Sequence, residues 1–369
     1  MTETRQRQSP KTFPRERVER LVDERGRLPF AEVMEEALYG EGGYYTRQQL
    51  AIGPEGDFVT GSSHSALFGR ATARLLLRLD EAVGRPADLL EAGCGDGRHL
   101  TAVVEALGES LDEEPPGRRS IRGWDRVPRQ LPDGVEALGS LDELARPVEG
   151  LVFSYELFDA LPIHRLVGRE DGCAGELWVV RDADGSLGWQ PGELSHPELG
   201  DLLGAASLEP GQVADLAPGW APLYRRLART LGRGLLVTCD YGYERRRLLD
   251  PRVRRHGTLA AYRRHRVHRD VLSHLGEQDL TAHVDFTALR EAGEAEGLET
   301  FAFSRQALWL AALGIFEDLA PEGAGAADLV RRQEAALLLD PEGMGEEIRV
   351  LVQGRGLAAE AVSGLDLVG

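Results

Sequence analysis

Apolar residues recur at helical spacing in Phe30-Ala-Glu-Val-Met-Glu-Glu-Ala-Leu38, which predicts an amphipathic helix ended by the glycines and tyrosines up to Tyr45. A second helix is expected from Ser65 to about Val83 and a third from His99 to Leu107. Short apolar runs between them read as strands: Asp88–Glu91, Ile121–Asp125, Leu151–Tyr155, Leu235–Asp240, Glu299–Phe303 and Ile348–Gln353. Strands that alternate with helix-sized segments predict an α/β fold, a doubly wound and largely parallel sheet covered on both faces.

Two longer stretches interrupt the alternation. In the first, about residues 164–230, Glu176-Leu-Trp-Val-Val-Arg181 and Ser186-Leu-Gly-Trp189 flank Asp182-Ala-Asp-Gly185, a hairpin signature. The second runs over about 243–284. Insertions of this length are usually functional, and both are expected to form a substrate-binding lid. Residues 1–20 are polar and without apolar periodicity, which predicts a disordered tail; residues 21–84 then form an N-terminal helical module and 85–369 the main domain.

The chain has 369 residues, 42% hydrophobic and 28% charged, enough for a full core. No apolar run reaches the length of a membrane span and the N-terminus lacks a signal-peptide core, so a cytoplasmic protein without membrane contact is expected. Cys94, Cys173 and Cys239 lack the paired spacing of a zinc site, so no metal is expected. A net charge of −18 argues against a nucleic-acid partner. Lys11 is the only lysine, and the one basic concentration, Arg245 to Arg269, reads either as a solvated face or as an anion-binding patch.

The strongest motif is Glu91-Ala-Gly-Cys-Gly-Asp-Gly97, directly after a strand and before a helix. Gly93, Gly95 and Gly97 allow positive φ and close approach to a ligand. G-x-G-x-G after an acid differs from the G-x-G-x-x-G that cradles a pyrophosphate. It suits a nucleoside without one, which favours S-adenosylmethionine over NAD, with Glu91, Cys94 and the three glycines as donor-site candidates. Asp125, at the end of the next strand, is either a ribose-binding acid or a helix cap.

A third element follows the strand at Leu151. Glu156 and Asp159 are spaced to share a face at the carboxyl edge of the sheet, where they could clamp a guanidinium, act as a general base, or merely cap a helix. The fourth is Thr281-Ala-His-Val-Asp285, in which His283 and Asp285 could orient each other or a substrate, or be a structural histidine and a cap.

Taken together these residues resemble the MidA-like (DUF185) methyltransferases, a family whose mitochondrial members are assembly factors for the respiratory NADH dehydrogenase. The resemblance is carried by Leu38-Tyr39, Gly43-Tyr-Tyr45, Gly56-Asp-Phe-Val-Thr60, Ser65 to Gly69, the turn Glu91 to Gly97, Asp125 with Gln130, Tyr155-Glu-Leu-Phe-Asp-Ala-Leu-Pro162, Asp240-Tyr-Gly242, Asp279 to Phe286 and Gln306. It implies a class I Rossmann-like methyltransferase sheet whose last strand is antiparallel, S-adenosylmethionine as methyl donor, and, as in the mitochondrial members, protein-arginine N-methylation. Tyr155 stands where the family has an asparagine beside the donor, and Ser63-His64 where it has Pro-Glu. By this resemblance Tyr155 and Glu156 join the donor site, and Thr60, His64, Tyr241 and Asp285 line the acceptor site beside the catalytic candidates Glu156, Asp159 and His283. A small-molecule acceptor, with His283 as base, and a non-catalytic donor-binding assembly factor are the competing readings; the acceptor's identity and a homodimer stay open.

Overall fold

The computed structural model describes residues 13–47, 66–110, 119–264, 266–319 and 325–363. Its helices and strands, labelled here in chain order, begin with α1 (Pro14–Arg25), α2 (Phe30–Tyr39) and α3 (Ala66–Val83). Next come β1 (Asp88–Ala92), α4 (Arg98–Ser110), β2 (Ile121–Trp124), β3 (Glu136–Leu138) and β4 (Val148–Tyr155). The first insertion holds β5 (His164–Gly168), β6 (Ala174–Arg181), β7 (Leu187–Gly192) and β8 (Val213–Leu216). After it lie α5 (Trp220–Thr230) and β9 (Leu231–Tyr243), then β10 (Ala260–Arg263), β11 (Arg266–His268) and β12 (Asp279–Thr281). The chain closes with α6 (Phe286–Ala295), β13 (Glu299–Arg305), α7 (Gln306–Ala312), α8 (Ala326–Leu339) and β14 (Ile348–Arg355).

The main sheet runs β13-β14-β9-β4-β1-β2-β3. β9, β4, β1, β2 and β3 are mutually parallel, and β14 lies antiparallel between β9 and β13. This is the sheet of a class I methyltransferase, and β14 is the antiparallel last strand implied by the resemblance. Its central strands are largely apolar and buried because both faces are covered: every residue of β1 is buried, and seven of the eight in β4. α3, α4, α7 and α8 contribute buried side chains on one face, and α5 and α6 on the other. Strand order reverses between β1 and β4, so the loops after these two strands open a crevice at the carboxyl edge, the position where such sheets bind ligands.

The insertions build two smaller sheets. β8-β5-β6 continues to Leu28-Pro29, with β7 beside β6, and β10 pairs with both β11 and β12. The predicted hairpin is β6–β7: the Ser186 carbonyl accepts from Asp182 N at 2.8 Å. The expected disordered tail is corrected from residue 14 onward. α1 begins there with proline in its first turn, buries Val18 and Val22, and stops at Gly26 with φ 79°. Two valines four residues apart make a stripe too narrow to stand out in the sequence, but it is enough to dock a helix. The N-terminal segment is also not one module. Leu28 and Pro29 extend the inserted sheet, and α1 and α2 share its core, whereas α3 belongs to the core on the opposite face of the main sheet.

Candidate functional site

The turn after β1 has the conformation that its glycines allow. Gly93, Gly95 and Gly97 have φ of 75°, 54° and 76°. A Cβ on Gly97 would also stand 2.7 Å from Pro132 Cδ, while one on Gly95 would meet nothing within 4 Å among the described residues. The turn is thus packed behind Gly97 and open in front of Gly95, as a cradle for a bound group requires. Asp125 closes one side. Its Oδ2 accepts from Gly95 N at 2.9 Å and its Oδ1 from Val127 N at 2.8 Å. Each oxygen keeps a second lone pair, so the carboxylate can still receive a ribose hydroxyl. Burial raises the Asp125 pKa, and the two amide bonds oppose that shift. These residues fit an adenosyl ligand.

Three donor-site candidates are turned elsewhere. The Glu91 carboxylate, 3% exposed, meets His99 Nδ1 at 3.0 Å, and His99 Nε2 meets Thr72 Oγ1 at 3.1 Å. This buried chain joins β1, α4 and α3. Cys94 is buried, its thiol pushed up chiefly by desolvation, and a Cβ on Gly123 would come within 2.8 Å of its Sγ. Only its backbone faces the cradle. Tyr155 sends its ring into the core, edge-on to Phe68 with centroids 5.1 Å apart, and its hydroxyl donates to Gln306 Oε1 at 2.8 Å. The side chain is a core contact and not a wall of the donor site.

Across the crevice, Glu156 directly follows β4 with φ 46°. A non-glycine residue held there stores about 1–3 kcal/mol and persists only where its surroundings force it. Here β9 does so: Glu156 N donates to Cys239 O at 2.9 Å, and Asp240 Oδ2 accepts from Leu157 N and Phe158 N at 3.1 and 2.8 Å. Further ties come from Tyr39, whose hydroxyl donates to Ala160 O at 3.0 Å, from Trp220 Nε1 to Phe158 O at 2.8 Å and from Ala282 N to Asp159 O at 3.0 Å.

The result is a buried group of carboxylates. Asp159, 4% exposed, has its pKa pushed well above the usual carboxylate range by burial first, and then by Asp240, Glu156 and Asp279. Burial likewise raises Asp240 to about 7 against four backbone amides that hold it down. Asp279 accepts the Tyr45 hydroxyl at 2.8 Å. Tyr39 stacks on Tyr45 at 5.6 Å, and Tyr241 and Tyr262 stand close enough to Glu156 and Asp159 for those charges to raise their phenol pKa values, in each case after burial. Asp240, Asp279 and Tyr262 belong to this site and the sequence reading did not assign them. Asp240 and Asp279 carried a signal in the stretches Asp240–Gly242 and Asp279–Phe286; Tyr262, in the inserted sheet, carried none.

His283 lies beyond Tyr241, ring centroids 6.4 Å apart, and 5.7 Å from Tyr243. Burial lowers its pKa to about 4, so the ring is neutral near pH 7, and its Nδ1 is buried without a hydrogen-bond partner among the described residues. Asp285 is occupied structurally. Its Oδ1 caps α6 through Thr287 N and Ala288 N, and its Oδ2 binds Arg245 Nε at 2.6 Å. The cap reading therefore replaces the acceptor-site one. Thr60 and His64 lie outside the described residues. Among those described, no group of His, Cys, Asp and Glu is arranged to hold a metal, and no helix is long and apolar enough to cross a membrane.

Seven strands in one run with a single antiparallel member, a short eighth strand (Val284–Asp285) beside β9, a glycine cradle at the switch point and an acid on the next strand define, among the described residues, an S-adenosylmethionine-dependent methyltransferase. Comparison with known proteins agrees. The model of an S-adenosyl-L-methionine-dependent methyltransferase family matches residues 122–304. A crystal structure of a Burkholderia thailandensis protein bound to S-adenosyl-homocysteine superposes with a TM-score of 0.82 at 25% identity, covering 94% of each chain. Among curated proteins, the mitochondrial protein arginine methyltransferase NDUFAF7 homologue of Drosophila melanogaster is 26% identical over 93% of this chain and 85% of its own length. The human protein arginine methyltransferase NDUFAF7 is 25% identical over 73% of this chain and 66% of its own. The chain is similar to the MidA-like S-adenosylmethionine-dependent methyltransferases, and as an S-adenosylmethionine-dependent methyltransferase it transfers a methyl group to an acceptor.

Proposed function

We propose that the acceptor is an arginine side chain of a protein. The observation that carries this reading is the group of carboxylates, buried Asp159, Asp240 and Asp279 with half-buried Glu156, among Tyr39, Tyr45, Tyr241 and Tyr262. Asp159 and Asp240 make no ion pair among the described residues; burial raises the pKa of both, and at Asp159 the neighbouring Asp240, Glu156 and Asp279 raise it further by repulsion. A planar cation with five N–H donors relieves that repulsion and fills the acceptor lone pairs; a neutral metabolite relieves nothing. The names of the curated relatives support the same substrate class.

In this reading Gly93, Gly95, Gly97 and Asp125 hold S-adenosylmethionine, which when bound supplies an electrophilic methyl group on a sulfonium. Glu156, fixed at its left-handed φ, and Asp159 orient the guanidinium and keep its attacking nitrogen aligned. The coupled Asp159–Asp240 pair takes up the proton that the acceptor nitrogen releases. Tyr241 and Tyr262 wall the pocket against water, and the inserted sheets supply the lid. The test is Glu156→Gln with calorimetric binding of S-adenosylhomocysteine and turnover on an arginine acceptor. Turnover should fall at least about 100-fold, as loss of an interaction made mainly in the transition state does, with product affinity changed less than about threefold. Equal loss of both would remove Glu156 from the acceptor side.

A further inference from the structure

The basic segment after β9 is organised around one ring. Three guanidiniums gather on one aromatic ring: the Cζ atoms of Arg254, Arg247 and Arg349 stand 4.0, 4.5 and 4.9 Å from the centroid of Tyr243. Arg247 and Arg254 come from the short helices Arg245–Leu248 and Pro251–Arg254, and Arg349 from β14. They approach a half-hidden place, for Tyr243 is 2% exposed and Arg349 5% exposed.

Their charges are not balanced locally. Arg349 shares Glu346 with Arg305, at 3.6 and 3.0 Å, and Glu347 accepts the Tyr243 hydroxyl at 2.6 Å. Neither Arg247 nor Arg254 has a carboxylate within ion-pair distance among the described residues; Arg254 reaches only the Arg247 carbonyl, at 3.3 Å. Elsewhere in this acidic chain arginines find acids readily, as Arg165 does with Asp215 and Arg74 with Asp318. The Arg349 pKa falls below its ordinary value, through burial first, with Arg247 and Arg305 adding to the shift. Three cations that converge on one buried ring, two of them without a carboxylate partner among the described residues, leave a net positive place that suits an anion.

The place also fixes which anion. Tyr243 follows Tyr241 by two residues on β9, roughly 7 Å along the strand; both rings neighbour that of His283, and Tyr241 borders Glu156 and Asp159. An extended acceptor segment with its arginine among the carboxylates would bring a side chain two to four positions away onto Tyr243. A net charge of −18 disfavours a nucleic acid here. We propose that Arg247, Arg254 and Arg349 form a carboxylate subsite that selects protein acceptors in which the methylated arginine lies near an acidic residue. This rests on the arginine-acceptor reading above.

The experiment uses the full chain with S-adenosylhomocysteine present, and fluorescence anisotropy of three labelled heptapeptides at low salt. One peptide has an arginine followed by two glutamates, the second has glutamines in their place, and the third has the glutamates but citrulline for arginine. Wild type should bind the first at least about tenfold more tightly than the second. Arg247→Gln with Arg254→Gln should erase that preference, and Arg247→Lys with Arg254→Lys should keep most of it, which separates charge from folding. Equal binding of the first two peptides by wild type, or a glutamate preference that survives the glutamine substitutions, overturns the subsite. If the citrulline peptide binds as well as the first and still depends on Arg247 and Arg254, the carboxylate subsite stands and the arginine-acceptor reading fails.

Discussion

The carboxylate of Asp240 accepts the Phe158 amide at 2.8 Å, and through this bond the end of β9 holds the strained loop that follows β4. The same carboxylate raises the pKa of Asp159, so one side chain both shapes the acceptor loop and charges it.

That coupling gives the reaction a pH dependence. A carboxyl raised to about 7 in the folded protein and near 4 when unfolded holds its proton in the folded state between those values. The fold therefore loses stability as pH rises from about 4 to 7, and the loss levels off above 7. A cationic acceptor needs the charged form, so kcat/KM should climb by up to tenfold per pH unit below about 7 and then flatten, with apparent values belonging to the Asp159–Asp240 pair. A pH profile with wild type and Asp159→Asn checks this; a profile flat between pH 6 and 8 would contradict it.

Gly95 and Gly97 should respond differently to alanine. At Gly97 the added methyl meets Pro132 at 2.7 Å with φ at 76°, so the fold should lose about 1–3 kcal/mol. At Gly95 the methyl enters open space on the ligand side, and donor affinity should fall at least tenfold while stability drops by about 1 kcal/mol. Thermal melts beside calorimetric titration of S-adenosylmethionine separate the two.

Tyr155→Phe removes the hydroxyl that donates to Gln306 in the core, leaving a buried amide oxygen short of a partner. About 1–3 kcal/mol of stability should go, with donor affinity unchanged within twofold. A donor affinity lowered tenfold or more at full stability would return Tyr155 to the donor site.

Asp285→Ala removes the α6 cap and the partner of Arg245. Denaturant unfolding should show a loss of about 1–3 kcal/mol, and the KM for an arginine acceptor should stay within about threefold.

What the sequence made legible follows from which interactions are local. The six strands of the main sheet that were expected are there because continuous apolar runs and glycine turns are local signals; β3, three residues long with two of them exposed, is too short and too polar to give one. The donor cradle was readable because Gly93, Gly95 and Gly97 are defined by their own φ. Side-chain direction was not. Tyr155 ends a strand, and whether its ring faces the core or the crevice depends on Phe68 and Gln306, distant in sequence. Asp279 and Tyr262 reach the site only through the pairing of β10 with β12, a long-range contact that no local pattern encodes. The helix α1 escaped notice for a related reason, since the surface that Val18 and Val22 bury belongs mostly to the inserted sheet.

The most direct measurement is transfer of a deuterated methyl group from labelled S-adenosylmethionine into a heat-treated bacterial extract, with mass spectrometry of the acid-hydrolysed protein fraction. Wild type is expected to label methylarginine and Glu156→Gln to leave it unlabelled. Label found in the small-molecule fraction or on another amino acid, with none on arginine, would contradict the assignment of the acceptor.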